Sequence, residues 1–542
     1  MFKRKRNLLF LITIVFMFVS VAGVVTGAAL NDLRTVKTEL YQEGSFNAPY
    51  HKASNSSLSQ KVITQSAIKT LSSASTVEET IFSGLESMDE SIDVSSFNIQ
   101  SADISKIYSG VVNSNPQLFY VVSTLKYSQS VSGTVKILTP TYSVTKSNIG
   151  EYKEAFNKSL ENALAAVPSG VSDAEKVLAA NEYLALNTEY DNTLKKTSAY
   201  DALVDGAAVC HGYTLAFNLI MTRVGIENVY VSSKVMGHAW SMVKVDGSWY
   251  HVDVTWNDKT PDELGRVFHK YLLVSDNDIK NRAEAESHHG WDAEAPKAGS
   301  DKYKNFFWNN VTSAIIHHSG KWYFSVFKSA KASELKTFDF SNSKQETLKE
   351  VAASWNISEG NVKRSAYVAK HKDQVYYNTT NRIYRMSFDG KNNTSICNES
   401  LSGRDAIYEM TIKGEYLIYR IKNGPRATSC TQKSINLESG EIIEDADVPL
   451  ASPKRSITLK ILSPKSITAK TKSIKIKITK GSKVSLAAPK LKAKTKIKNV
   501  TAKSGTYTFK KLNLKKVKKN TVVKITAKKS GYITKILSFK LC

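Results

Sequence analysis

At 542 residues the chain is too long for a single hydrophobic core, and roughly 100–200 residues per domain predicts three or four folded units. A hydrophobic fraction of 42% with 10% aromatics excludes a largely disordered protein. The formal charge of +26 sits at one end: residues 451–542 hold 27 of the 75 Lys and Arg and none of the 49 Asp and Glu, so the remainder is close to neutral.

In chain order, Lys3-Arg4-Lys5-Arg6, an apolar run from Leu8 to Val25 and the small residues Gly27-Ala28-Ala29 form the pattern of an export signal. Residues 1–29 are therefore read as a signal peptide or an N-terminal anchor. Small residues at its end favour cleavage, while the length of the run keeps an uncleaved anchor open. No Cys follows the run, so lipid attachment is not expected. The expected location is secreted, cell surface or cell wall.

Residues 30–60, polar and rich in Ser and Asn, read as a linker, and 61–150 as an N-terminal mixed segment packing on the core. That segment predicts a helix near Ile104–Val112, a break at Asn115-Pro116 and a strand at Leu118–Val122. Residues 151–298 read as an α+β core. Tyr152, Phe156, Leu160 and Leu164 share one face of a helix over Glu151–Val167, and Ser172-Asp173-Ala174-Glu175 is a capping box opening a second helix through Leu186.

Residues 305–448 carry three strand pairs, Ser319–Phe340, Asp373–Phe388 and Gly414–Leu437, each with an aromatic doublet or near-doublet. They resemble blades of β-propeller repeats, although three are too few to close a ring. Residues 452–542 alternate strictly in Ser473–Thr479, with Ile on one face and Lys on the other, and again in Val522–Ala527. They resemble the immunoglobulin-like β-sandwich modules of Gram-positive surface proteins.

Chemistry concentrates between residues 205 and 256. After the Gly206 turn, Phe217, Leu219 or Ile220, Arg223 and Val224 recur with helical spacing, which puts Cys210 at a helix N-terminus. There the dipole and free N–H groups favour a thiolate, the nucleophilic form of cysteine. Downstream, Met236–Val243 and Ser248–Trp256 read as two strands joined at Asp246-Gly247. That turn pairs positions summing to 493, so His238 and Asp253 become diagonal neighbours on one face, within side-chain reach. Asp253 can then accept one ring N–H of His238 and leave the other nitrogen for Cys210.

Ala208-Val209-Cys210-His211-Gly212-Tyr213, Gly237-His238-Ala239-Trp240 and Trp249-Tyr250-His251-Val252-Asp253-Val254-Thr255-Trp256 resemble the three signature blocks of the transglutaminase-like superfamily of papain-like cysteine enzymes, in its bacterial secreted branch. The similarity runs from about Asn115 to Asp292. It implies a helix-borne cysteine packed on an antiparallel sheet carrying His and Asp, followed here by two all-β modules. It further implies Cys210 as nucleophile, His238 as general base and acid, and Asp253 as the residue orienting His238. Ser241 departs from the family pattern, where Asn is expected. No side chain is assigned to an oxyanion hole, for which the Cys210 backbone N–H is a candidate donor.

Three functions stay open: a peptidase or amidase acting on a surface or wall peptide, which is favoured; a transglutaminase joining glutamine to an amine; and a non-catalytic wall-binding scaffold. His211 and His251 are expected to be structural or to support the site rather than to be catalytic, and Trp240, Trp249 and Trp256 to pack the hairpin, with a wall of the substrate groove left open to one of them. His288-His289 with Asp292 does not form a metal motif, and neither a metal nor a cofactor is expected. Four cysteines, Cys210, Cys397, Cys430 and Cys542, exclude a disulfide scaffold, with pairing of Cys397 and Cys430 left open. The expected partners are a peptide or protein substrate and, through the Lys-rich end, an anionic wall polymer. Nucleic acid is not expected, and a membrane only through an uncleaved N-terminal segment.

Overall fold

The computed structural model describes residues 36–40, residues 76–444 apart from short internal exceptions around 259–261, 284–285, 354–363 and 426–428, and most of 455–540. The export signal expected at 1–29 lies outside them, as does the linker expected at 30–60 except for a strand at Val36–Leu40. No helix among the described residues is long and apolar enough to cross a membrane.

Residues 76–145 gather around their own apolar cluster. Thr76 and Glu79 cap the helix Val77–Ser87 reciprocally, and a second helix spans Ile104–Ser114. Both pack on an antiparallel sheet in the order Val36–Leu40, Val121–Gln129, Val135–Tyr142, Ile92–Asp93. The strand expected from Leu118 begins only at Val121. Pro116, with no N–H and a fixed φ, opens a 3-10 turn through Leu118 instead, and Leu118 is buried there.

The α+β core comes next. Helix Cys210–Arg223 packs against a three-stranded antiparallel sheet, Asn228–Ser233, His238–Val245 and Ser248–Val252, and helices Ile149–Ala165 and Asp173–Asn187 pack against that helix. The Ser172–Glu175 capping box forms as the sequence predicts. Val177, Leu178 and Leu184 project from that helix into a core shared with Phe217, Ile220, Met221, Val243 and Val252. Tyr183 is only partly buried.

Three four-stranded antiparallel sheets come after it in strict sequence order, within 316–352, 368–398 and 406–444. The three strand pairs read from the sequence lie inside these sheets. Trp322, Phe324 and Phe338 of the first sheet, with Trp308 before it, belong to the same apolar cluster as the α+β core. Residues 455–540 form two further small antiparallel sheets, Leu459–Ser463 with Ile474–Ile478 and Thr506–Phe509, and Ile497–Thr501 with Lys483–Ala487, Val522–Lys528 and Lys535–Lys540. A cluster including Ile474, Ile476, Ile478, Val484, Leu486, Val523 and Ile525 fills the space between them. The fold class is thus α+β followed by all-β regions. The all-β content of the last region supports its immunoglobulin-like character only loosely. Cys210, Cys397 and Cys430 are all free thiols, so the last two do not pair.

Candidate active site

A two-residue parallel bridge, Glu189-Tyr190 with Ala207-Ala208, carries the chain to the helix that begins at Cys210. Asp191 fixes the approach: its carboxylate accepts the N–H groups of Thr193, Lys195 and Lys196 at 2.9–3.0 Å and the Thr193 hydroxyl at 2.7 Å. Burial works against that charge, but these donors outweigh it and hold Asp191 at about 2. Val209 donates its N–H to the Lys196 carbonyl at 2.8 Å, which sets the entry angle of the helix.

Each residue of Cys210-His211-Gly212-Tyr213 has a local cause. Cys210 occupies the first helical position, where backbone N–H groups have no carbonyl one turn back. At Gly212 a Cβ would fall 2.7 Å from the Ala208 side chain and 2.8 Å from the Ser198 carbonyl, so only glycine lets the helix sit this close to the bridge. Tyr213 donates to Asp258 Oδ2 at 2.6 Å and also reaches the Thr188 carbonyl at 2.9 Å. His211 faces Tyr230, and burial pushes it down to about 4, so it is neutral and structural.

The hairpin register is the one the turn predicts. Ser241 faces Val252, Val243 faces Tyr250 and Val245 faces Ser248, with Asp246 and Gly247 both at positive φ in the turn. The second strand, however, ends at Val252 rather than continuing to Trp256. Asp253 Oδ1 accepts the Trp256 N–H at 3.2 Å and starts a short helical turn, Val254–Asn257, as its N-cap.

The other carboxylate oxygen, Asp253 Oδ2, accepts His238 Nε2–H at 2.7 Å, and the Cys210 sulfur lies near enough to the His238 ring to raise its basicity. The three residues that the sequence singles out are therefore brought together, with Asp253 fully buried and Cys210 and His238 exposed by only 4% and 7%. His238 stacks on Trp240 and Trp256, at centroid distances of 5.7 and 5.2 Å. Burial opposes charge on His238, yet the Asp253 carboxylate and the Cys210 sulfur reverse that effect and raise it well above an ordinary histidine. Burial likewise opposes the Asp253 charge, and His238 and His288 overcome it, holding the carboxyl well below the usual range. The hydroxyls of Tyr190 and Tyr230 are raised, first by burial and next by the nearby Cys210 sulfur.

His251, expected to be structural, is so. Its Nδ1 accepts Trp240 Nε1–H at 2.9 Å, which leaves the proton on Nε2 for Asp276 Oδ1 at 2.8 Å. His288 is the residue that the sequence reading missed. It is buried while His289 is exposed, so the pair does not act as a unit. His288 Nε2 donates to Asp253 Oδ2 at 2.8 Å. His238, Asp253 and His288 thus offer three atoms within 4.8 Å of one another, a spacing open to a cation. Two N–H groups sharing one carboxylate oxygen account for the same distances.

Residues 163–254 match the family model of the transglutaminase-like superfamily. The chain carries a transglutaminase-like domain. The match is narrower than the 115–292 suggested by the motifs, and it contains all of Cys210, His238 and Asp253. Among solved structures, a TGase is similar at 18% identity over 24% of this chain and 44% of its own, with a TM-score of 0.19. A candidate cysteine protease from Cytophaga hutchinsonii is similar at 18% over 22% and 51%, with a TM-score of 0.17. The extracellular domain of a candidate one-component system from B. thetaiotaomicron is similar at 11% over 56% and 43%, with a TM-score of 0.23. The chain spans about half or less of each. No curated protein matches the chain.

The transglutaminase-like domain is not separate from the sheets after it. Trp322 Nε1–H donates to Glu175 Oε1 at 2.8 Å and the Ile315 N–H to Glu182 Oε2 at 2.9 Å. Past the Asp253 turn, Glu263 pairs with Arg364 at 2.5 Å, and the Leu264 N–H reaches Glu409 Oε2 at 3.2 Å. At Gly265, φ is +76° and a Cβ would overlap the Met410 carbonyl oxygen, so glycine is required for this contact.

Proposed function

We propose that the protein is an exported cysteine enzyme that forms an acyl-enzyme at Cys210 on a surface or wall peptide and passes the acyl group to water, as a peptidase or amidase. The observation that carries this reading is the buried group of Cys210, His238 and Asp253, with His238 bonded to Asp253 and basic enough to keep a proton near the sulfur. In the first half-reaction Cys210 Sγ attacks the carbonyl carbon and forms the C–S bond. The oxyanion lies toward the N–H groups that begin the Cys210 helix. The C–N bond breaks, and His238 gives its Nδ1 proton to the departing amine. In the second half-reaction His238 takes a proton from water, hydroxide adds to the thioester, and the acid leaves as Cys210 recovers its sulfur. Asp253 holds the ring by its Nε2–H throughout.

The test is incubation of the full chain with a glutamine-containing peptide mixture, with and without a fluorescent primary amine, beside Cys210→Ala. New termini or carboxylates that depend on Cys210 support hydrolysis. Amine incorporation instead makes it a transglutaminase, and identical behaviour of both proteins leaves a scaffold.

We further propose that residues 452–542 hold the enzyme on an anionic wall polymer. Lys475 and Lys477 project outward from the strand whose Ile residues turn inward. Lys460 lies directly across from Lys477, and Lys483 across from Lys528. Like charges directly opposite destabilise a sheet, a cost that a polyanion relieves. Retention on wall sacculi should be strong at low salt and fall steeply as salt screens it. No retention at low salt overturns this attachment.

A further inference from the structure

We infer that His288 is a positioning residue of this site: by donating Nε2–H to Asp253 Oδ2 it fixes the carboxylate and keeps the transferable proton on His238. The inference rests on reading Cys210–His238–Asp253 as an acyl-transfer site.

Three observations carry it. First, both carboxylate oxygens are engaged, and Oδ2 is saturated. Oδ1 accepts the Trp256 N–H, and Oδ2 accepts one imidazole N–H from each of His238 and His288. An oxygen with two lone pairs is saturated by two donors, so Asp253 can neither rotate nor readily take a proton from His238.

Second, packing alone does not explain a histidine here. The ring sits among Trp240, Trp256 and Tyr271 at centroid distances of 4.7, 4.2 and 5.3 Å, a setting that an apolar side chain would fill. Its Nδ1 is buried without a hydrogen-bond partner among the described residues. Burying a polar atom unpaired is unfavourable, so the gain that keeps it must come from Nε2.

Third, the segment is anchored from both sides. The His288 N–H donates to the Ile279 carbonyl at 3.1 Å, Ser233 bridges Trp291, and Gly290 at φ +68° turns the chain against Val235. Burial, the first influence on its basicity, lowers it, which keeps His288 a neutral donor beside a charged His238.

The test uses the full chain in three forms: wild type, His288→Gln, whose amide nitrogen can reach the position of Nε2, and His288→Leu, which fills the space without a donor. In histidine-¹⁵N-labelled wild type at neutral pH, His288 should be neutral with its proton on Nε2 and His238 doubly protonated. A cationic His288, or one protonated on Nδ1 alone, overturns the inference. Iodoacetamide labelling of Cys210 at pH 6 should be largely retained in His288→Gln and fall roughly 10- to 100-fold in His288→Leu. Labelling of a folded His288→Leu at the wild-type rate overturns the role of His288 and leaves the reading of the site intact. If the leucine variant does not fold, a folded His288→Gln that has lost labelling at pH 6 overturns it equally. Failure of wild type itself to label at pH 6 removes the reading beneath it.

Discussion

The two β regions that follow the transglutaminase-like domain are made of similar antiparallel strands, yet they relate to charge in opposite ways. The sheets within 316–444 meet the transglutaminase-like domain through carboxylates that lie inside the protein: Glu175, Glu182, Glu263 and Glu409 are each at most 5% exposed and each engaged across the junction. The sheets within 455–540 close over their own apolar cluster and turn their lysines outward. A buried carboxylate is tolerable only with its partner in place, so it welds two elements together. A solvated lysine binds nothing to the core and leaves the surface free for a polyanion. The first β region is thus joined to the transglutaminase-like domain, and the second carries the lysine surface that we propose holds an anionic polymer.

Removing one partner at a time tests this contrast. The largest effect is expected from Arg364→Met, which leaves Glu263 charged and buried. It should cost about 3–5 kcal/mol and lower the melting temperature of the transglutaminase-like domain with that of the sheets. A separate, unshifted transition for the domain would mean that the junction is not shared. Trp322→Phe keeps the ring but strips Glu175 of its indole N–H, and about 1–3 kcal/mol should be lost, read by denaturant midpoint. The smallest effect is expected from ending the chain at residue 444. The melting temperature and the reactivity of Cys210 should stay as in the full chain, while salt-sensitive retention on sacculi disappears. A large loss of stability would show that the Lys-rich region supports the core after all.

Much of the site was legible in the sequence because its signals are local. The Ser172–Glu175 cap, the cysteine at the start of a helical period and the Asp246-Gly247 turn each act within a few residues, and the turn alone fixes the register that joins His238 to Asp253. What was not legible depends on distant partners. Asp253 ends its strand because one carboxylate both caps a turn and receives two histidines, one of them 35 residues downstream. His288 has no periodic neighbours to announce it, and beside His289 it suggested only a metal pair to be dismissed. Glu175 announces only a helix cap, and nothing local to Glu182, Glu263 or Glu409 announces the partners that Trp322, Ile315, Arg364 and Leu264 form with these carboxylates across the chain.

The whole mechanism depends on Cys210 and His238 forming an ion pair held by Asp253, and the pH dependence of Cys210 alkylation probes that pair. The raised basicity of His238 means that it is charged at and above neutral pH. Any stability this charge lends is complete below about pH 6.5 and is lost as pH rises through the raised value of the folded state. His238→Gln is the right comparison, since its amide can still donate to Asp253. Iodoacetamide should label wild type rapidly already at pH 6, and His238→Gln only as the pH approaches that of an ordinary thiol, about 8.5. Slow labelling of both proteins, rising together only near that pH, would contradict the ion pair.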